Sequence, residues 1–243
     1  MQKDRVSTED AGGSPIKAVI FDYGQVLVHS PTKEDFQSMA DVLGVGFQSF
    51  YRLWETSRDA YDRGDVTAEE YWLKLAAQMG ASIDRAQIEI LRQIEVEIWA
   101  HPDQAMLVWL SALQSAGFKT ALLSNMPLDL MTYVQENFQW MENFTFKTFS
   151  AEVRLIKPDP AIYEHTLRGL GVSAGEALFV DDREIISKLP ASSASMGYCF
   201  DRSCSSKMTW KLWAFRYCRQ SQAWLVRANT RPKESSFNSN FRF

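Results

Sequence analysis

The sequence predicts an α/β protein: a parallel sheet with helices on both faces, and one all-helical block set in after the first strand. Two observations carry that prediction. Short apolar runs alternate with segments of helical periodicity, which in a parallel sheet implies right-handed crossovers. Most of the runs also stop at polar residues, at Asp22, Ser124-Asn125 and Asp181-Asp182. In such sheets ligands bind beyond the carboxyl ends of the strands.

The elements follow in order. Lys17-Ala18-Val19-Ile20-Phe21 reads as a buried strand that ends at Asp22 and turns at Gly24. Residues 33–100 read as helical throughout, with Ile88, Leu91, Ile94 and Ile98 at helical spacing and Thr67 with Glu70 as a capping box. Pro102 opens a helix that runs to Ala116 and stops at Gly117. Phe118 to Leu123 is the next strand, ending at Ser124-Asn125, and Pro127 starts a helix to about Phe138. Phe144, Phe146 and Phe149 belong to a further strand, with Lys157 shortly after it. Pro160 to Leu170 is a helix closed by Gly171, and Ala177 to Val180 is a strand ending at Asp181-Asp182. Residues far apart in the chain thus converge on one end of the sheet, with the block at 29–100 above them like a lid.

Composition bounds the class. The chain has 243 residues, 46% hydrophobic and 23% charged, enough for one good-sized core and a smaller inserted domain. No apolar run reaches the roughly 20 residues that span a bilayer, so no membrane partner is expected. Met1 to Pro15 is polar, contains Gly12-Gly13-Ser14-Pro15 and lacks the apolar centre of a signal peptide. It reads as a disordered tail, and the protein as cytoplasmic.

The polar residues at the strand ends define a chemistry. A carboxylate can attack a phosphoryl group and divide one hydrolysis into two displacements. An anionic nucleophile approaching an anionic substrate needs a cation, and magnesium with few carboxylates and several waters suits that task. Asp22, Asp181 and Asp182 supply the acids. Lys157 can balance charge on the nucleophile and the phosphoryl group. The Ser124 hydroxyl and neighbouring backbone amides can hold phosphate oxygens.

The same residues carry a family resemblance. Phe21-Asp22-Tyr23-Gly24-Gln25-Val26-Leu27 resembles the first motif of the haloacid dehalogenase superfamily, and Leu123-Ser124-Asn125 its second. Ile156 to Tyr163 is similar to the third, and Phe179 to Ile185 to the fourth, in the right order over residues 16–186. The resemblance implies a Rossmann-like core from residues 16–28 and 101–186, with a helical cap at 29–100. It implies Asp22 as nucleophile, Lys157 as the charge-balancing base, and Ser124, Asn125 and Lys157 as substrate-binding residues. Mg2+ would be held by Asp22, the Gly24 carbonyl, Asp181 and Asp182, the last either through water or instead capping the next helix. In many family phosphatases the position two after the nucleophile is an aspartate acting as general acid and base; here it is Gly24. Some members with glycine there resemble sugar-phosphate phosphatases. Haloacid dehalogenases also lack that aspartate, but they need no metal, and their first motif has a tyrosine-glycine-threonine arrangement one place later.

The expectation is a magnesium-dependent phosphatase acting on a small phosphorylated metabolite, such as a sugar phosphate, through an aspartyl-phosphate. The alternatives are a haloacid dehalogenase-type hydrolase and an impaired member with a basic binding tail. The cap aromatics Phe50, Tyr51, Trp54, Tyr61, Tyr71 and Trp72 read as bundle core, and His29, His101 and His165 as hinge or surface residues. Tyr23 can face either the cap or the packing. Oligomeric state is left open.

The last quarter reads differently. Residues 187–243 hold ten Lys or Arg against Asp201 and Glu234, a net charge of +8 that leaves −12 for residues 1–186. Cys199, Cys204 and Cys218 lie there too, in no zinc-binding or disulfide pattern. After a fourth motif of this type an Ala- and Glu-rich helix, a glycine and a final strand are expected, and Ile186 to Ala194 reads as neither helix nor strand. One base inserted after codon 185 allows Ile185 to Phe200 to be read INIEAARVFGIDGLLL, an amphipathic helix, a glycine stop and an apolar strand. In the same frame the code forces Asp from Met208-Thr209, Glu from Trp210-Lys211 and Gly from Trp213-Ala214. Residues 187–243 are therefore read as an out-of-frame, poorly ordered product of a one-base loss, costing the sheet its last strand. The rival reading is a genuine basic tail, with Trp210, Trp213, Phe215, Tyr217 and Trp224 among its charges, binding nucleic acid or a partner. On the out-of-frame reading nucleic acid is not an expected partner.

Overall fold

The computed structural model describes residues 16–182 and the backbone of 196–199. The readings of 1–15 as a tail and of most of 187–243 as out-of-frame text lie outside the described residues.

Strand β1 (Ala18–Phe21) is the central strand of the sheet, and all four of its residues are buried. A strand covered on both faces needs an unbroken apolar run, and this segment supplies one. It pairs in parallel with β2 (Lys119–Ser124) on one side, Ala18 opposite Lys119, and with β4 (Ala177–Asp181) on the other, Ala18 opposite Ala177. Beyond β2 lies β3 (Phe146–Phe149), and beyond β4 lies β5 (Met196–Cys199), so the parallel order is β3-β2-β1-β4-β5. The register brings Asp22, Ser124 and Asp181 to one end of the sheet.

Strand β5 corrects the expectation that the sheet lacks its last strand: Met196–Cys199 pairs with β4, Leu178 opposite Met196. The reason is physical. Ladder hydrogen bonds use backbone groups, and an unpaired edge templates pairing with an extended segment of almost any sequence.

The block at 33–100 forms five helices: α1 (Lys33–Leu43), α2 (Phe47–Thr56), α3 (Asp59–Asp62), α4 (Ala68–Gln78) and α5 (Arg85–Ile98). Three of them open on reciprocal capping boxes, Thr32 with Asp35, Thr67 with Glu70 and Asp84 with Gln87, which satisfy otherwise orphaned amides. The block has its own core of Phe50, Trp54, Tyr61, Tyr71, Trp72 and Leu91 among others, so the aromatics pack within the bundle as expected. Fully burying each such side chain contributes about 1.5–3 kcal/mol.

The chain leaves and re-enters the sheet through paired linkers. Val28 bridges Pro102 antiparallel, the His29 amide donates to the His101 carbonyl at 2.8 Å, and the Asp103 amide donates to Leu27 at 2.9 Å. Pro102 thus sits in the linker, and Asp103 caps α6 (Gln104–Ser115). Helix α7 (Leu128–Asn137) follows β2, the short α8 (Ser150–Val153) follows β3, and α9 (Pro160–Leu170) precedes β4. Phe144 lies before β3 rather than in it. One sheet face packs Val19, Phe21, Leu110, Leu122, Val134 and Val180, and the other packs Ile20, Leu123, Ile162, Tyr163 and Phe179.

Candidate active site

Asp22 is the first residue beyond β1. Its amide donates to the Val180 carbonyl at 2.9 Å, so the ladder to β4 continues one residue past the strand and fixes the carboxylate at the sheet end. The Asp22 Oδ1 accepts from the Tyr23 amide at 2.7 Å. Its Oδ2 faces Lys157 Nζ at 2.9 Å, and the same ammonium donates to Asp181 Oδ2 at 2.8 Å. All three residues are buried.

Burial sets the electrostatics. It pushes the Asp22 carboxyl up to about 7 against the pull of Lys157, and Asp181 and Asp182 add to the rise. Burial opposes the Lys157 ammonium, but Asp22 and Asp181 outweigh it and raise its pKa. Oxygens of Asp22, Asp181 and Asp182 lie within 4.8 Å of one another. One ammonium cannot balance three carboxylates, and an oxygen-only donor set fits a hard divalent cation.

Lys157 is held from behind. Asn125 Nδ2 donates to the Lys157 carbonyl at 3.0 Å, and Asn125 Oδ1 accepts from the Lys157 amide at 2.9 Å. The side chain expected to touch substrate therefore grips the loop that carries the lysine. Ser124 closes β2 and is buried at the same end of the sheet.

A family model of haloacid dehalogenase-like hydrolases matches residues 16–185. The chain belongs to that family. It is a haloacid dehalogenase-like hydrolase, and its parallel sheet with a helical insert is the family's α/β fold. Sesquiterpene phosphatase astK of Aspergillus oryzae is 29% identical over 174 residues, 69% of this chain and 81% of that protein. (S)-2-haloacid dehalogenase 4A of Burkholderia cepacia is 29% identical over 178 residues, 68% of this chain and 74% of that one. A haloacid dehalogenase family enzyme of Bacteroides thetaiotaomicron, solved as a mutant with magnesium and inorganic phosphate, superposes with a TM-score of 0.64. It is 21% identical, over 76% of this chain and 94% of that one, which shows the shared fold.

Sequence reasoning missed three features around this hydrolase site. Trp99, which ends α5, lies on Gly24: a Cβ on the glycine would stand 3.1 Å from the indole. The Tyr23 hydroxyl donates to the Trp99 carbonyl at 2.7 Å, so Tyr23 faces the cap. Ser150 accepts from the Met126 amide at 2.9 Å and donates to the Asp62 carbonyl, joining the cap to the loop after Asn125. Asp62 is itself held by Arg58, which also binds Glu95 at 2.5 Å and lies over the Trp54 ring. Arg92 of α5 grips Asp129 of α7 through two bonds of 2.6 and 2.9 Å. A serine directly after a strand end was the one available signal, at Ser150; nothing in sequence marked Trp99 or the partners of Arg58. No described helix is long and apolar enough to cross a membrane.

Proposed function

We propose that this hydrolase is a magnesium-dependent phosphatase that cleaves a small phosphate monoester through a phosphorylated Asp22. The observation that carries the reading is the buried Lys157 ammonium between Asp22 and Asp181, with Asp182 beside them. Such a site has one compensating cation for three acids, as a metal-assisted phosphoryl transfer requires.

In this reading the Asp22 carboxylate attacks phosphorus, and the bond to the leaving oxygen breaks. Water then attacks the phosphorus of phosphorylated Asp22 and releases phosphate, regenerating the carboxylate. Lys157 offsets charge on the nucleophile and the transferring group, and the Ser124 hydroxyl with nearby amides holds phosphoryl oxygens. Asn125 keeps Lys157 in place. Asp22, the Gly24 carbonyl, Asp181 and Asp182 (the last directly or through water) would hold magnesium, which would supply Lewis-acid charge compensation there. The sesquiterpene phosphatase relative and the magnesium and phosphate in the Bacteroides enzyme support this assignment. A small phosphorylated metabolite, such as a sugar phosphate, is the proposed substrate.

The dehalogenase relative supports a second reading, attack of Asp22 on a halogen-bearing carbon. The acid cluster favours the first, because attack on a carbon–halogen bond needs no cation. The test is phosphate release from a panel of monoesters with magnesium or chelator, for the chain and for Asp22→Asn. Chelator-sensitive release lost in Asp22→Asn is expected. Metal-independent halide release from 2-haloacids, without phosphate release, would replace the first reading by the second.

A further inference from the structure

A buried hydroxyl joins the helical cap to the turn behind the reacting groups. Ser150 opens α8 directly after β3 and is fully buried. Its Oγ accepts from the Met126 amide at 2.9 Å and donates to the Asp62 carbonyl at the end of α3. The same hydroxyl lies 3.4 Å from the Met126 carbonyl, a longer alternative for its proton. A hydroxyl that donates well also accepts more strongly, so the bond to the cap tightens the hold on the Met126 amide.

Both ends of this link are fixed. On the cap side, Arg58 bonds the two Asp62 carboxylate oxygens, at 2.7 and 3.2 Å, and also reaches Glu95 of α5. The turn after α3 passes through Gly64, whose φ of +76° favours glycine. A Cβ there would stand 2.8 Å from the Ala151 carbonyl oxygen, so cap backbone lies directly against the backbone of α8. On the core side, the Met126 amide shares one planar peptide with the Asn125 carbonyl, so fixing the first orients the second. Asn125 in turn makes the two hydrogen bonds that hold the Lys157 backbone, and Ser124 stands just before it.

We infer that Ser150 is a positioning residue for phosphoryl transfer: its hydroxyl carries the seat of the cap into the turn that holds Lys157 against Asp22 and Asp181. This role rests on the reading of Asp22 and Lys157 as the reacting groups. Ser150 itself acts only through the Met126 peptide. With the cap seated, its proton goes to Asp62 and its lone pair to the Met126 amide. With the cap displaced, the proton is left with the more distant Met126 carbonyl, and the Asn125 turn is held less firmly.

The experiment perturbs the link from each side in the full chain. Ser150→Ala removes the hydroxyl. Gly64→Ala keeps Ser150 but forces the cap turn off α8. Amide hydrogen exchange is followed at Met126, with the Asp22 amide, held by the Val180 carbonyl, as internal control. In both variants Met126 is expected to exchange about tenfold faster while Asp22 is unchanged, the size of one net hydrogen bond. On para-nitrophenyl phosphate with magnesium, kcat should fall at least about tenfold with KM within about twofold, since about 1 Å of misplacement costs on the order of 10²-fold in rate. The double variant should lose little more than the worse single one, because both break the same link. Met126 exchange that Gly64→Ala leaves unchanged overturns the coupling, and so does a faster exchange that Asp22 shares equally. An unchanged kcat in folded Ser150→Ala, or losses that multiply in the double variant, overturns the positioning role. No phosphate release from the unaltered chain overturns the phosphatase reading instead, and the exchange arm, which needs no turnover, still decides the link.

Discussion

Replacing Asn125 by alanine separates two roles that the same residue could play. Asn125 makes two hydrogen bonds to the backbone of Lys157, at 2.9 and 3.0 Å, across 32 residues of chain. Each such bond is worth about 0.5–1.5 kcal/mol net, so Asn125→Ala is expected to lose about 2 kcal/mol. For a chain of this size that lowers Tm by roughly 4–8 °C. The larger effect is on chemistry, because Lys157 must keep its 2.8–2.9 Å contacts with both carboxylates. A displacement of about 1 Å in a positioning group costs on the order of 10²-fold in rate. The assay pairs denaturant unfolding with kcat and KM on the best monoester. The expected result is lower stability and a fall in kcat with KM little changed. An increase in KM alone, at unchanged stability and kcat, would refute the reasoning and return Asn125 to direct substrate contact.

Four further outcomes are expected. Lys157→Met leaves two buried carboxylates facing each other, so it should lose about 3–5 kcal/mol, and magnesium should raise its Tm more than that of the unaltered chain; an equal magnesium shift argues against a cation at this cluster. The Asp22 carboxyl, at about 7, lies above its unfolded value of 3.8, so its contribution to metal-free stability is greatest at low pH and is lost as pH rises through about 7. A metal needs the ionised form, so apparent magnesium affinity should weaken about tenfold per pH unit below that point and level off above it, and affinity independent of pH between 5.5 and 7.5 would contradict this. Arg92→Ala breaks a partly exposed cap–core pair and should cost under about 1 kcal/mol, an effect that shrinks in 1 M salt; a larger loss that salt leaves intact would mean the pair matters through packing. Resequencing through codon 186 should recover one extra base, and the frame-restored chain should melt higher and turn over faster; an unchanged read, or equal melting and rates, would sink the out-of-frame reading.

The sequence by itself determined the sheet and the place of the acids. Short apolar runs bounded by turn signals read as buried strands, and period, Pro160, Gly171 and the Thr67–Glu70 pair marked the helix ends, because these signals act within a few residues. Local order also fixed that Asp22, Ser124 and Asp181 would meet, since parallel strands in register align their carboxyl ends. What each of these residues touches was decided only by tertiary structure. Asn125 grips Lys157, Trp99 covers Gly24, and Ser150 reaches the Asp62 carbonyl over contacts spanning 32, 75 and 88 residues. The first depends on how two loops of the core meet and the other two on how the cap lies on the sheet, and packing between elements leaves no period or spacing in the chain. The fifth strand makes the same point from the other side: backbone pairing at an open sheet edge asks little of side chains, so Met196–Cys199 could join β4 without any sequence pattern announcing it.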